Sequence, residues 1–246
     1  MNRLVSPAGT GKAAPHAAGA FRFSAAHFLV VLVLLLVVTP FLEQLRDGDL
    51  VEALLTTLVL LAAVLAVGGS RRTLLLAGLI VSPSILGKWA NHFRPDLVPP
   101  EVYLVTGLIF VAWVASQLLR YILRTPRVNS EVLCAGISGY LTLGLLWTFA
   151  YLVVARAVPG AFATGSGTPA AMDQFTTIYF SYVTLTTTGY GDITPASNSC
   201  RMLAILEAMS GTFYVAIVIS RLVALYSAST ANAAARPASQ NTPAPD

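Results

Sequence analysis

Charged residues are scarce in this sequence. Asp, Glu, Lys and Arg make up 11% of its 246 residues, against about 25% in an ordinary soluble domain. The net charge is +4, but the basic residues are scattered between apolar runs and form no patch, so we expect no nucleic-acid partner. This low fraction of charged residues excludes an ordinary soluble protein and predicts a chain that lies in a lipid bilayer.

Cysteine and histidine are also rare. Cys134 and Cys200 fall in or beside predicted membrane helices and show neither metal-ligand spacing nor a paired framework. His16, His27 and His92 are isolated, and no paired carboxylates or nucleophile with a base occur at useful spacing. We therefore predict that the chain is not an enzyme, carries no cofactor and takes no small-molecule substrate.

Long apolar runs dominate instead, since 56% of the residues are hydrophobic. A helix needs about 20 apolar residues to cross a hydrocarbon core about 30 Å thick. Six runs are candidates, and the third is the weakest because Ser82, Pro83 and Ser84 break it. The sequence thus predicts an all-α integral membrane protein with six transmembrane helices, at 28–45, 50–67, 73–89, 102–123, 132–158 and 200–226.

Basic residues in the connections predict the orientation, because cytoplasmic segments retain positive charge. With the N-terminus inside, the cytoplasmic side holds Arg3, Lys12, Arg22, Arg71, Arg72, Arg120, Arg124, Arg127, Arg221 and Arg236. The outer side then holds only Arg46, Lys88, Arg94, Arg156 and Arg201. We expect a multi-pass protein of the plasma (inner) membrane with both termini in the cytoplasm.

Between the fifth and sixth runs lies a segment of another kind, at 172–195, which is too polar to face lipid and should re-enter the membrane from outside within the protein. A pore that replaces the hydration shell of an ion can use successive backbone carbonyls. Aiming them at one axis requires alternate left-handed residues, which glycine adopts at low cost. Gly189 and Gly191 stand at such alternate positions.

The segment 184–195, TLTTTGYGDITP, resembles the signature of potassium channels of the six-span, single-pore-loop, bacterial type without a regulatory domain. The resemblance implies the known filter chemistry of that family. It implies K⁺ coordination by a homotetramer in the bilayer, with support from Thr186 and Asp192. Thr188 stands where many members carry Val or Ile, and it is isosteric with Val. The implied coordinating residues are Thr187, Thr188, Gly189 and Tyr190, followed by Gly191.

The resemblance extends to both flanks of this segment. Residues 173–186 are typical of a short pore helix, whose C-terminal end would favour a dehydrated cation. Gly211 lies where the family has a gating hinge, but close packing against a neighbouring helix is an equal alternative. If the last helix is oriented as in relatives, the inner cavity is lined by Thr212, Val215 and Ile219.

Glu207 is an acid inside a predicted membrane helix, where a charge costs about 2.5–3.5 kcal/mol on insertion scales. It either faces the cavity and concentrates cations, or lies behind the filter and bonds to pore-helix hydroxyls such as Ser181 or Thr184. The second alternative is favoured, because buried acids generally find partners.

The basic residues of the fourth run do not resemble a voltage sensor. No Lys or Arg occurs from 102 to 119, and Arg120, Arg124 and Arg127 follow only at the cytoplasmic end, so we expect no strong voltage gating. The first four spans are expected to form a scaffold, or else to bind a lipid, a ligand or a partner subunit.

The predicted organisation has four parts. A disordered cytoplasmic tail at 1–27 precedes a four-span module at 28–127, a pore domain at 128–228 and a second disordered cytoplasmic tail at 229–246. The predicted function is passive, K⁺-selective conduction, with K⁺ as the permeant ion. The alternative is the pore subunit of a potassium uptake or ion-coupled transport system.

Overall fold

The computed structural model of the chain describes residues 25–42, 48–66, 71–94, 99–126 and 129–234. The greater parts of the two predicted tails, 1–24 and 235–246, lie outside the described residues. Residues 25–27 and 229–234, which had been assigned to the tails, belong to the first and last helices.

Seven helices and two short strands follow one another in the described part of the chain. The helices are α1 Ala25–Leu42, α2 Gly48–Ala66, α3 Arg71–Phe93, α4 Pro100–Arg124, α5 Ser130–Ala157, α6 Gln174–Leu185 and α7 Asn198–Ala234. The strands are β1 Phe162–Thr164 and β2 Ile193–Pro195. Each of the six predicted apolar runs is thus a helix, and α6 occupies the predicted pore-helix segment.

Four of these helices, α3, α4, α5 and α7, are long and apolar enough to cross a membrane by length and composition. The apolar stretches of α1 and α2 are shorter. The predicted break of the third run at Ser82, Pro83 and Ser84 is absent, because α3 continues through Pro83 for 23 residues. The membrane character of the chain agrees with its outward faces, where Val30, Leu75 and Leu79 are 65–73% exposed.

Helices α1 and α4 pack against α5, whereas α2 packs against α1 and α3, and α3 packs against α4. The core between them buries Phe28, Leu32, Phe110, Val114 and Ile122. α5 contributes Val132, Ala135 and Leu145 to this core. We call α1–α4 the four-helix module and α5–α7, with the strands, the pore region.

The module is joined to the pore region by a short connection. α4 ends at Arg124 and α5 begins at Ser130. Asn129 starts α5 as its N-cap, because its Oδ1 accepts a hydrogen bond from the backbone N of Val132 at 3.0 Å. Arg221 of α7 donates from Nη2 to the backbone O of Thr125 at 3.2 Å, so the connection contacts the last helix as well.

The strands form an antiparallel ribbon that the sequence analysis did not predict. Phe162 pairs with Pro195 and Thr164 with Ile193. The ribbon rests on a second apolar cluster, in which the rings of Tyr151, Phe162 and Phe180 meet edge to face at centroid distances of 5.0–5.7 Å. This cluster fixes the position of α6 relative to α5.

Candidate functional site

The short helix α6 begins at a well-formed cap. Asp173 accepts a hydrogen bond from the backbone N of Thr176 at 2.7 Å through Oδ1, which satisfies one of the free amide groups at a helix N-terminus. The helix ends at Leu185. Its C-terminal carbonyls, the negative end of its dipole, therefore lie directly before the predicted filter.

The backbone of the predicted filter alternates in handedness. Thr187, Gly189 and Gly191 have φ of 57°, 57° and 80°, whereas the residues between them do not have positive φ. The left-handed backbone predicted at the two glycines is therefore present. Thr187 was not predicted to share it, because a β-branched residue pays about 1–3 kcal/mol for this conformation.

Hydrogen bonds to the end of α6 hold the filter backbone in this form. The amide N of Thr187 donates to the O of Thr184 at 2.9 Å, and that of Thr188 donates to the O of Val183 at 2.9 Å. Gly189 shares the same Val183 acceptor at 3.3 Å. The first half of the filter is thus tied to the last turn of the helix.

Side chains support the filter from behind. The Thr186 hydroxyl donates to the O of Tyr182 at 2.7 Å and lies 3.0 Å from the Thr188 hydroxyl. At the other end, the Tyr179 hydroxyl donates to Oδ2 of Asp192 at 2.8 Å. The supporting roles implied for Thr186 and Asp192 stay predictions.

The other face of the filter is open in the single chain. Tyr190 is 71% exposed and stacks on Tyr179 with a centroid distance of 6.4 Å and an interplanar angle of 7°. A β-carbon added at Gly189 or Gly191 would meet no atom within 4 Å. The filter therefore presents a free surface that one chain alone does not cover.

The ribbon holds the far end of the filter. The amide N of Gly165, in the turn after β1, donates to the backbone O of Asp192 at 2.7 Å. β2 begins directly after Asp192. The filter is therefore fixed at one end by α6 and at the other by the ribbon.

Gly211 of α7 lies against the end of α6. A β-carbon at this position would lie 2.5 Å from the carbonyl O of Leu185 and 2.8 Å from its Cδ1. Close packing, one of the two alternatives for this glycine, is therefore present. α7 is helical on both sides of Gly211, and its role as a hinge stays a prediction.

The residues predicted to line the cavity are exposed in the single chain. Thr212 donates from its hydroxyl to the backbone O of Ala208 at 2.9 Å, as an exposed helical threonine commonly does. Val215 and Ile219 are also exposed.

Glu207 lies behind the filter and not in an open cavity. It is completely buried, with Oε1 2.6 Å from the Ser181 hydroxyl and Oε2 2.6 Å from the Tyr151 hydroxyl. This is the second of the two predicted alternatives, with Ser181 as the partner. Tyr151 was missed, because nothing in the apolar run of α5 distinguishes this tyrosine from its neighbours.

Other contacts between helices were also missed. The Tyr182 hydroxyl donates to the backbone O of Leu141, and the Tyr214 hydroxyl donates to the O of Gly136 at 2.9 Å. The ring of Tyr182 lies so close to Gly144 that a β-carbon there would come within 2.6 Å of it. The only signal that the sequence offers for these contacts is the presence of tyrosines in two predicted helices and of small residues in a third.

The arginines of α4 lie at its end. Arg120 and Arg124 line an open cavity of about 400 Å³ beside Tyr121 and Thr125, and both are exposed. Arg127 lies outside the described residues. Within the described part of α4, no basic residue precedes Arg120.

A family model described as "Ion channel" matches residues 137–228. This range runs from α5 to α7 and includes α6, the filter, Glu207 and Gly211. The module precedes the matched range.

Three curated relatives are similar to the chain. Two pore potassium channel c of Oryza sativa subsp. japonica is 37% identical over 83 residues, which cover 32% of this chain and 18% of that protein. Probable potassium channel protein 2 of Methanocaldococcus jannaschii is 35% identical over 80 residues, 32% of this chain and 20% of the relative. Protein LctB of Bacillus caldotenax is 31% identical over 103 residues, 40% of this chain and 75% of the relative.

The chain spans about a fifth of the length of the first two relatives and three quarters of the third. No solved structure matches the chain.

Proposed function

Because the chain belongs to the potassium channel family, we propose that it conducts K⁺ passively and selectively across a membrane. The observation that carries the proposal is the left-handed backbone at Thr187, Gly189 and Gly191. In a peptide with this alternation, successive carbonyls can turn toward one side. Such a row of oxygens can replace the hydration shell of K⁺.

The proposed pore is a homotetramer. One chain offers a single filter, so it can supply only a quarter of a coordinating ring. The exposed Tyr190 and the empty space beside Gly189 and Gly191 support this assembly, because neighbouring copies would cover that surface. K⁺ is then coordinated by Thr187, Thr188, Gly189 and Tyr190. Gly211 acts as a hinge in the inner helix. The cavity is lined by Thr212, Val215 and Ile219 of the same helix.

The proposed topology has six spans, with α6 and the filter as a re-entrant segment between α5 and α7. Both termini are then cytoplasmic and the membrane is the plasma (inner) membrane. The four-helix module acts as a scaffold around the pore region. The location of Arg120 and Arg124 at the end of α4 supports weak or absent voltage gating, because a sensor needs charges inside the membrane field.

Flux measurements on purified protein in liposomes test the proposal. The wild type should pass K⁺ strongly over Na⁺, and Gly191→Ala should abolish that selectivity, because alanine at φ 80° is strained. Gly160→Ala is the matched control, since Gly160 has φ 69° and open space around it but lies outside the filter. The control should keep the selectivity of the wild type.

Equal K⁺ and Na⁺ flux through the intact protein would contradict the proposal. K⁺ movement only against its gradient, driven by a second ion, would instead favour the alternative of an ion-coupled transport system. Flux in the Gly160→Ala control as unselective as in Gly191→Ala would show that backbone strain alone, wherever it lies, disrupts the protein.

A further inference from the structure

The surroundings of Glu207 contain more acceptors than protons if its carboxyl is ionised. The Ser181 hydroxyl lies 2.6 Å from Oε1 of Glu207 and 2.8 Å from the backbone O of Gly144. Both distances are those of direct hydrogen bonds. A serine hydroxyl has one proton, and a carbonyl has none, so an ionised Glu207 leaves two oxygen atoms facing each other without a proton.

A proton on Oε1 of Glu207 resolves this arrangement. The carboxyl then donates to Ser181, and Ser181 donates to the O of Gly144. The Tyr151 hydroxyl donates to Oε2 at 2.6 Å. Every contact between these groups then carries one proton.

Burial agrees with the neutral form. Glu207 has no exposed surface, and the hydrogen-bond partners of its two oxygens are hydroxyls and not cations. An ionised carboxylate with no cation beside it is costly inside a membrane protein. A neutral carboxyl with both oxygens hydrogen-bonded carries little of that cost.

The location of Glu207 connects three helices next to the filter. Tyr151 belongs to α5, Ser181 to α6 and Glu207 to α7. One turn further along both α6 and α7, Leu185 meets Gly211. The end of α6 that binds the filter backbone is therefore held to α7 at two successive turns.

We propose that Glu207 is a protonated positioning residue, whose neutral carboxyl clamps the pore helix to the outer and inner helices and thereby fixes the filter. This inference rests on the proposed K⁺ channel function and deepens it. The hydrogen bonds, and not a negative charge that attracts K⁺, are what the acid contributes.

Two substitutions separate these roles. In Glu207→Gln, the amide N–H₂ replaces the proton donor toward Ser181 and the amide O still accepts from Tyr151, so K⁺ flux and K⁺/Na⁺ selectivity should stay within about twofold of the wild type. Glu207→Asp is shorter by one methylene and cannot reach both hydroxyls. Its selective flux should fall about tenfold, which corresponds to about 1.4 kcal/mol, the cost of a lost hydrogen bond.

Infrared spectroscopy provides a readout that does not depend on conduction. At neutral pH the wild type should show the carbonyl stretch of a protonated carboxylic acid, and Glu207→Gln should lack that band. Size-exclusion chromatography of each variant separates loss of assembly from loss of function. Should Glu207→Asp fail to assemble, the Gln variant and the infrared band still decide the inference.

A Gln variant that assembles but loses K⁺ flux, in a preparation whose wild type conducts, would overturn the inference. So would the absence of the carboxylic acid band. If the wild type itself passes no K⁺, the proposed channel function fails, whereas the infrared band still decides whether Glu207 is protonated.

Discussion

The pore region and the four-helix module are held together in different ways. Tyr182, Tyr214 and Trp147 of the pore region form hydrogen bonds to another helix. The module also has hydrogen bonds between helices, from Ser84 to the O of Tyr103 and from Trp89 to Thr57, but its centre is packed by side chains such as Phe28 and Leu32 that have no polar atoms. Hydrogen bonds have direction, so the pore region is fixed in orientation, whereas apolar packing restricts mainly volume and shape.

Among the substitutions that test this difference between the two regions, the one at Gly211 should have the largest effect. In Gly211→Ala the new β-carbon would lie 2.5 Å from a backbone carbonyl O, which cannot rotate away, so α6 and α7 must separate. We expect the free energy of unfolding to fall by an amount at or above the upper end of about 1–3 kcal/mol. Selective K⁺ flux should be lost as well. Thermal unfolding in detergent and liposome flux measure the two.

Gly78→Ala in α3 is the matched control, because a β-carbon there meets nothing within 4 Å. It should leave the unfolding temperature unchanged or raise it slightly, since alanine favours a helix by up to about 1 kcal/mol. Similar destabilisation by both substitutions would refute the difference between the regions.

A smaller effect is expected at Gly144. Alanine there would meet the Tyr182 ring at 2.6–3.0 Å, and the ring can move only by giving up its hydrogen bond to Leu141. We expect Gly144→Ala to cost about 1–3 kcal/mol, measured as thermal unfolding. In a Tyr182→Leu background, the same change should cost clearly less; an equal cost would mean that the ring is not the obstacle.

The smallest effect should follow the removal of one hydrogen bond. Tyr214→Phe loses the hydrogen bond to the backbone O of Gly136 and keeps the ring. We therefore expect the free energy of unfolding to fall by about 0.6 kcal/mol, the average for such bonds in membrane proteins. Trp89→Phe removes the corresponding bond to Thr57 in the module. If the two regions differ as described, Tyr214→Phe lowers K⁺ selectivity and Trp89→Phe does not.

The helices and the two filter glycines were predictable because their signals are local. Apolar length defines each membrane helix, and Asp173 marks the start of α6 as a typical N-cap. Gly189 and Gly191 are spaced as alternating handedness requires. Each of these features can be recognised without knowing what lies elsewhere in the chain.

The remaining features depend on contacts between distant residues. Thr187 adopts a left-handed backbone against its own preference, because hydrogen bonds to α6 at one end and to the ribbon at the other end fix the backbone of the filter. The partnership of Tyr151 with Glu207 joins residues 56 positions apart. Strands of three residues are too short to produce an alternating pattern, so the ribbon left no signal.

The hydrogen bond from Arg221 to Thr125 has a mechanical consequence. It joins the C-terminal end of α4 to α7 beyond Gly211 within a single chain. A movement of the end of α4 away from α7 would have to break this hydrogen bond. If four chains assemble as proposed, each would contain this contact within itself.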